Sequence, residues 1–248
     1  MADFEIAYTV NAGLYFRLDD AGLLVDALHR GLDVGFSDTA PLLLRDLRAH
    51  EGIFRREIDL VFTHSHPDHF DPVLTDEFSR LYPASRVAVA GEFAVGLREE
   101  PLAADVQRLR FGAFEVLAVT TEHQGVDYQI VPHRALILSA AGRRYLICAD
   151  ALLTPALAAR FRSLAPSGFD AVFANVYHVG EKTERAALAA IPARQIFLYH
   201  LPFPQDDPCD FHHVAASVTA SLPADFPPVR VLWPQAERTV TPIEGAPL

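Results

Sequence analysis

The chain is poor in several residue types that mark particular classes of protein. It has only two cysteines, Cys148 and Cys209, which are too few for a disulfide framework. Lys182 is the only lysine, so arginine carries nearly all of the positive charge. No apolar run reaches the ~20 residues that are needed to span a bilayer. The sequence therefore argues against a disulfide-stabilised secreted scaffold and against a membrane span.

Charge and hydrophobicity narrow the class further. The formal net charge is −11, which disfavours non-specific binding to nucleic acid or to an anionic membrane. Half of the residues are hydrophobic, so we expect one domain with a large core that spans residues 1–248. The segment Met1–Glu5 has neither the basic nor the apolar region of a secretory signal. We therefore expect a cytoplasmic protein.

The most informative segment follows a short apolar run at residues 58–62, which has the pattern of a buried strand. Four side chains that can bind metal, His64, His66, Asp68 and His69, lie within the next seven residues. In an extended chain the first three point to one face, and a turn at Pro67 can bring His69 towards a second metal. Imidazole nitrogen and carboxylate oxygen suit zinc, and also iron or manganese.

Four more candidate residues come after strand-like runs elsewhere in the chain. His123, Asp150 and His200 follow apolar runs at residues 114–119, 145–149 and 195–199, and Asp26 closes a run at residues 23–25. Together with the motif His64-Ser65-His66-Pro67-Asp68-His69, these residues resemble the signature of the metallo-β-lactamase superfamily. The matching residues keep the order of that family and cover most of the chain.

The resemblance implies a fold and a metal site. The fold would be an αββα sandwich, in which two mixed β-sheets pack face to face with helices outside. The site would hold two divalent metal ions, with zinc expected and manganese or iron as alternatives. The resemblance assigns the ligands as follows: His64, His66 and His123 to the first ion, Asp68, His69 and His200 to the second, and Asp150 to both. Asp26 would orient a histidine from behind.

The same resemblance implies a function. A hydroxide that bridges the two metals would cleave a small ester, lactone or phosphoester, and Asp68 would also orient that hydroxide. An iron-containing oxidoreductase on the same ligands is the alternative, and a metal-binding protein without catalysis is disfavoured because the ligand set is intact. The segment at residues 63–72 looks nearest to the ascorbate-6-phosphate lactonase-like branch. A phosphorylated substrate would need a basic clamp, for which Arg30 and Arg134 are candidates.

Further residues are predicted to surround the substrate. The segment 175–180 follows a strand and is predicted to be a loop beside the metals, where Tyr177 and His178 would contact substrate. The proline-rich segment 201–204 would form a fixed wall opposite. His133 lies in a predicted hairpin and is expected to be structural. Between these regions, residues 92–98 are predicted to form a short helix.

Overall fold

The computed structural model describes residues 4–31, 35–128 and 130–243. The residues of the Met1–Glu5 segment that precede Phe4 lie outside the described part. The described residues form two β-sheets, with six α-helices packed on their outer faces.

The first sheet has seven strands in the order β15-β1-β2-β3-β4-β5-β6. Its strands are β1 (Phe4–Tyr8), β2 (Leu14–Leu18), β3 (Ala21–Val25), β4 (Glu57–Phe62), β5 (Val87–Val89), β6 (Phe93–Val95) and β15 (Thr241–Pro242). Strands β1 to β3 form an antiparallel meander, and β3, β4 and β5 are parallel. Asp19 has a positive φ of 52° in the tight turn that joins β2 and β3 into a hairpin.

The second sheet has eight strands in the order β14-β13-β12-β11-β10-β9-β8-β7. Its strands are β7 (Glu100–Ala103), β8 (Val106–Phe111), β9 (Phe114–Thr121), β10 (His133–Ala140), β11 (Arg143–Ile147), β12 (Phe169–Ala174), β13 (Ala193–Leu198) and β14 (Val229–Val231). The strands from β7 to β11 are antiparallel, and those from β11 to β14 are parallel.

An aromatic core joins the inner faces of the two sheets. The ring of Phe16 lies 5.6 Å from that of Tyr145 and 6.1 Å from that of Phe173, measured between centroids. Phe4 stacks on Tyr145 at 5.7 Å. Since Phe4 and Phe16 belong to the first sheet and their partners to the second, these contacts hold the sheets face to face. Separate apolar layers bind helices to each outer face, and the predicted αββα sandwich is confirmed.

Four of the six helices in the described residues begin where the sequence places proline or a capping side chain. The six helices are α1 (Pro41–Ala49), α2 (Pro72–Leu81), α3 (Pro155–Leu164), α4 (Val176–Gly180), α5 (Lys182–Ala189) and α6 (Phe211–Ala220). Helices α1, α2 and α3 carry proline in the first turn, where its missing N–H has no partner to lose. Asp71 and Thr154 cap α2 and α3. Among the described residues, no helix is long and apolar enough to cross a membrane.

Two predicted elements are wrong. Residues 92–98 contain a strand, Phe93–Val95, because Gly91 (φ 83°) makes a turn that lets this segment pair antiparallel with β5. The segment 175–180 is not a loop, because Asn175 accepts hydrogen bonds from the N–H groups of Tyr177 and His178 and starts helix α4. Strands β7 and β8 are further elements that the sequence pattern did not reveal.

Candidate metal centre

Seven donor side chains from four chain segments converge at one edge of the sandwich, and two further segments supply supporting side chains. The segments follow the ends of β3, β4, β9, β11, β12 and β13 and supply both the donors and their supports. The possible donor atoms form two groups that share Asp150, and within each group they lie within 4.8 Å of one another. The first group is His64, His66, His123 and Asp150, and the second is Asp68, His69, Asp150 and His200.

The first group is built from three imidazoles around one carboxylate oxygen. The Nε2 atom of His64 lies 3.0 Å from Nδ1 of His66. The Oδ2 atom of Asp150 lies 3.6 Å from Nε2 of His123 and 3.8 Å from Nε2 of His64. His64 is fully buried, whereas His66 is partly exposed, so this group opens to solvent on the side of His66.

The second group combines two imidazoles with two carboxylates. The Nε2 atom of His69 lies 3.1 Å from Oδ2 of Asp150 and 2.8 Å from Nε2 of His200. The Oδ2 atom of Asp68 lies 3.6 Å from each of those two imidazole nitrogens. Two carboxylates in this group offset the charge of a cation more than one carboxylate would.

The residues present fit two divalent cations. The Nε2 atom of His123 is buried and has no hydrogen-bond partner, although it faces Asp150. A buried polar atom without a partner is costly unless a ligand satisfies it. A donor set of imidazoles and carboxylates within this spacing suits zinc, iron or manganese. The geometry therefore brings together every predicted metal-binding side chain.

The backbone bends sharply where it delivers these side chains. Asp26, Ala149 and His200 have positive φ angles of 47°, 47° and 65°, although none is glycine. Each lies within two residues of the end of a strand. Such conformations are uncommon for residues with a Cβ and collect at functional sites. Here they turn the chain so that Asp150 and His200 point across the edge of the sheets.

Asp26 occupies the supporting position that was predicted for it. Its carboxylate is fully buried and accepts hydrogen bonds from the N–H and the hydroxyl of Thr63, both at 2.7 Å. Oδ2 of Asp26 also lies 3.0 Å from Nδ1 of His69. A proton on Nδ1 leaves Nε2 of His69 as a lone pair that faces the centre. Thr63 also contacts Nδ1 of His64 at 3.0 Å, a role that the sequence analysis missed.

His133 is structural, as predicted, but it lies beside the metal groups. The N–H of Asp150 donates to Nε2 of His133 at 3.2 Å, and Nδ1 of His133 lies 2.6 Å from the hydroxyl of Thr121. The ring is fully buried, 4.7 Å from that of His64. Because its Nε2 accepts a backbone proton, His133 fixes the backbone of Asp150 and is not a further metal donor.

A buried polar network supports Asp150 from the other side. The side-chain amide of Asn175 lies 3.1 Å from Oδ1 of Asp150 and 2.7 Å from Oε1 of Gln124. Gln124 in turn donates to Glu184 at 2.6 Å, and its N–H donates to the carbonyl of Asp150 at 2.7 Å. The network leaves Oδ2 of Asp150 directed at the histidines. Sequence reasoning missed it, and the one signal was the placement of Asn175 at a strand end.

The two residues predicted to contact substrate occupy different environments. His178 is fully buried; the N–H of Asn175 donates to its Nδ1 at 3.0 Å, and its Nε2 donates to the carbonyl of Ala151 at 2.7 Å. With both nitrogens occupied by backbone groups, His178 is not placed to reach a substrate. Tyr177 is 49% exposed, since the first turn of α4 directs it outward.

The segment 201–204 also differs from the wall that was predicted beside the substrate. Leu201 and Phe203 are buried in the apolar layers of the sandwich.

Burial and neighbouring charges set the protonation of the site. Burial lowers the pKa of His64 well below its ordinary value and also lowers the pKa of His66 and of His200. Burial opposes the charged form of His69 as well, but Asp150 and two further carboxylates raise its pKa well above the ordinary value. Burial likewise opposes the charged form of Asp150, yet His200 and His69 lower its pKa well below the usual range. The neutral imidazoles of His64, His66 and His200 present lone pairs, and Asp150 presents the negative charge that a dication needs. His69 would release a proton when it binds a metal.

Comparison with known proteins identifies the fold. No protein-family model matches the chain, and no curated protein matches it. CmlA, a diiron β-hydroxylase from Streptomyces venezuelae, superposes with a TM-score of 0.62 at 16% identity over 93% of this chain and 53% of its own. YhfI from Bacillus subtilis, a metallo-β-lactamase fold protein, superposes with a TM-score of 0.56 at 14% identity, over 93% of this chain and 96% of its own. Igni18, a metallo hydrolase from Ignicoccus hospitalis, superposes with a TM-score of 0.53 at 17% identity, over 97% of this chain and 98% of its own.

These identities establish similarity of fold alone. The chain has the metallo-β-lactamase fold, and its edge carries a cluster of histidine and aspartate side chains suited to metal.

Proposed function

We propose that this protein is a dinuclear metal-dependent hydrolase acting on a small molecule. The observation that carries the proposal is the pair of donor groups that meet at the single carboxylate of Asp150. One shared carboxylate between two compact donor sets is the arrangement that two-metal hydrolysis uses. The net charge of −11 further favours a small-molecule substrate over nucleic acid.

Each predicted ligand has a place in this proposal. His64, His66 and His123 would hold one ion, Asp68, His69 and His200 would hold the other, and Asp150 would be shared by both. When bound, two dications supply Lewis acidity, which lowers the pKa of a shared water and polarises the oxygen under attack. Zinc is the expected metal, and manganese or iron also suits these donors.

The side chains of the protein position the reactants. Oδ2 of Asp68 lies 3.6 Å from the nitrogens of His69 and His200, so it can accept a hydrogen bond from a water held between the two donor groups. In the proposed reaction the water oxygen forms a bond to the acyl carbon or phosphorus, and the bond to the leaving oxygen breaks. The proton that the water loses ends on the leaving oxygen, so an ester gives an acid and an alcohol.

An iron-containing oxidoreductase is the second candidate. CmlA, which shares the fold with a TM-score of 0.62, is a diiron β-hydroxylase, and the donors of this site also suit iron. Metal analysis of protein purified without added metal separates the two candidates, because a diiron protein absorbs visible light and a dizinc protein does not.

The test of the hydrolase proposal is Asp68→Asn in the metal-loaded protein. The amide keeps the shape but removes the charge that orients water, so hydrolysis of a responsive ester, lactone or phosphodiester should fall by more than about 100-fold. Asp20→Asn, in the exposed turn between β2 and β3, is the matched control and should leave turnover unchanged. Near-normal turnover by Asp68→Asn would remove Asp68 from the mechanism. Failure of metal-loaded wild-type protein to hydrolyse any of the three classes would contradict the hydrolase proposal itself.

A further inference from the structure

Aromatic side chains border the metal groups on two sides. The ring of Tyr128 lies 5.3 Å from that of His66 and 5.5 Å from that of His123, next to the first group. On the other side, the ring of Phe36 lies 4.8 Å from that of His200. The two donor groups therefore lie between aromatic rings of two separate chain segments.

Tyr128 and Phe36 belong to a larger group of aromatic side chains, here called the aromatic border, which also includes Phe211 and Tyr177. Phe36 stacks on Phe211 at 5.6 Å, and Phe211 meets the half-exposed ring of Tyr177 at 6.4 Å. The loop that carries Tyr128 also exposes two aliphatic side chains, Val126 at 83% and Ile130 at 90%. Fully exposed aliphatic side chains are unfavourable in water, and contiguous apolar surface beside a site marks a place where a ligand binds.

On each side of the metal groups, a glycine with positive φ allows an aromatic ring of the border to pack closely against the backbone. At Gly125 (φ 79°) a Cβ atom would lie 2.9 Å from the ring of Tyr128, so only glycine lets this ring pack down on the turn. At Gly35 (φ 118°) a Cβ would lie 3.0 Å from the Sγ of Cys209 and 3.7 Å from the ring of Phe211. The rings are therefore held by the local backbone and are not surface side chains in arbitrary positions.

The arginines that could clamp a phosphate are engaged elsewhere. Nε of Arg30 pairs with Asp71 at 2.9 Å, and Nη1 of Arg134 donates to the carbonyl of His133 at 3.0 Å. The guanidinium of Arg134 also fills the space above Gly91, where a Cβ would lie 2.6 Å from its Nη2. In the described part of the chain, neither of these two guanidinium groups forms a hydrogen bond or ion pair with a side chain of the donor groups.

We infer that the substrate is an uncharged carboxylic ester or lactone that carries a flat apolar group, which packs between Tyr128 and the Phe36–Phe211 pair. This inference rests on the proposed hydrolase function and narrows its substrate class. It disfavours the phosphorylated lactone that the ascorbate-6-phosphate lactonase-like motif suggested, because the two arginines that could clamp a phosphate pair with Asp71 and with the carbonyl of His133. Water adds to the acyl carbon, the bond to the alkoxy oxygen breaks, and that oxygen takes up the proton.

Two matched substrate pairs test the inference on the metal-loaded protein. Methyl phenylacetate differs from methyl acetate, and γ-phenyl-γ-butyrolactone from γ-butyrolactone, by one phenyl group each. Burial of a phenyl group stabilises by about 1.5–3 kcal/mol, so kcat/KM should be roughly 10- to 100-fold higher for the phenyl member of whichever pair reacts. Bis(4-nitrophenyl) phosphate, which has apolar rings but an anionic centre, should react more slowly than either phenyl substrate.

Variants connect the preference to the aromatic border. Tyr128→Ala and Phe36→Ala should each reduce the phenyl preference by at least about threefold, mainly through KM, while metal analysis still finds the wild-type content. Trp233→Ala removes an aromatic side chain of similar exposure (43%) that stacks on His212 instead, and it should leave the preference unchanged. Equal kcat/KM within the pairs, or faster turnover of the phosphodiester, would overturn the inference and leave the hydrolase proposal intact.

A binding measurement keeps the inference testable without turnover. Phenylacetate and acetate are the products of the ester pair, and calorimetry on the metal-loaded protein compares their affinities directly. Phenylacetate should bind at least about tenfold more tightly to wild-type protein, and Tyr128→Ala should remove most of that difference. If no substrate is hydrolysed but this difference is found, the hydrolase proposal fails and the aromatic subsite stands. Equal affinities would overturn the subsite.

Discussion

At the scale of single residues, Asp150 is the point on which the site depends. It is the one side chain that belongs to both donor groups, and three separate supports fix it: His133 at its N–H, Gln124 at its carbonyl and Asn175 at Oδ1. These contacts hold the backbone and Oδ1 of Asp150, so small shifts elsewhere in the protein should move this side chain little. Removal of the Asp150 side chain should weaken metal binding at both donor groups.

The first prediction is that Asp150→Ala lowers the metal content of the folded protein. We expect two ions per chain in wild-type protein and one or none in the variant, because the shared carboxylate oxygen is lost from both groups. The measurement is elemental analysis after dialysis, with circular dichroism to show that the variant is folded. Asp20→Ala, in an exposed turn, should bind as much metal as wild-type protein. A wild-type content of one ion that Asp150→Ala leaves unchanged would contradict the dinuclear site.

The second prediction concerns Asn175, which has two separable roles. Its Oδ1 atom caps α4, and its amide donates towards Asp150. Asn175→Ser keeps a capping oxygen and Asn175→Ala does not, so the alanine variant should be less stable by about 1 kcal/mol. Both variants lose the amide, so both should lose about 10-fold or more in kcat or in metal affinity. Normal kinetics in the serine variant would show that only the cap matters.

The sequence predicted the donors better than their supports. His64, His66, Asp68 and His69 could be predicted because a strand has fixed alternation and because four such side chains rarely crowd together by composition. Asn175 could not, because it reaches Asp150 only when β12 pairs parallel with β11, and that register is a tertiary fact. His178 was wrongly placed at the substrate for a related reason: the cap on α4 rotates it into the interior.

At the scale of secondary structure, strand ends bring the site together and the inter-sheet core keeps those ends in place. Phe173 of β12 is fully buried and contacts Phe16 of the opposite sheet, at 6.1 Å, as well as Phe197 and Tyr199. It therefore joins the strand that leads to Asn175 with the strand that leads to His200.

The third prediction is that truncation of Phe173 destabilises the sandwich. Phe173→Ala should lower the free energy of unfolding by about 3–5 kcal/mol, because it removes a buried ring and leaves a cavity between the sheets. Phe173→Leu keeps most of the volume and should cost about 1 kcal/mol. Urea unfolding of metal-free protein measures both. Phe93→Ala, at a surface-exposed ring, should change the value by much less, and a loss for Phe173→Ala as small as that for Phe93→Ala would contradict a shared inter-sheet core.

The elements themselves could be predicted where periodicity was strong. The strands before His64, Asp150 and His200 are continuous apolar runs and were found close to their true bounds. Strand β7 was missed because all of its residues are exposed, and β8 was missed because Gln107, Arg108 and Arg110 interrupt its apolar residues. They owe their structure to pairing with each other and with β9, an interaction that local sequence does not specify.

At the scale of the whole molecule, we propose that residues 1–248 fold as one domain. One apolar cluster includes side chains from both sheets, which favours a single cooperative unit. The fourth prediction is that metal-free protein unfolds in one transition. Trp233, the only tryptophan, reports on the end of the second sheet by fluorescence, and far-ultraviolet circular dichroism reports on all elements. The two curves should coincide in urea, and two separated midpoints would divide the chain into independent units.

The final prediction concerns the stability of metal-free protein as a function of pH. Burial lowers the pKa of His178 to about 4 and that of His29 to about 3, whereas an unfolded histidine titrates near 6.5. Between pH 7 and pH 5 the unfolded chain therefore takes up protons that the folded chain does not. Stability should fall in this interval by about 2 kcal/mol for each such histidine. The loss should continue to lower pH until the folded pKa values are reached.

Variants assign this dependence to a particular side chain. The groups that face His178 are Glu184 on α5, at 3.7 Å, and more remotely Asp150 and His200, and none of them alters the sign, because burial dominates. His178→Gln cannot titrate, so the difference in unfolding free energy between pH 7 and pH 5 should shrink by about 2 kcal/mol, whatever the variant costs at neutral pH. His213→Gln, on the exposed face of α6, should keep the wild-type difference. An equal pH dependence in wild-type protein and His178→Gln would show that this histidine is not held neutral by the fold.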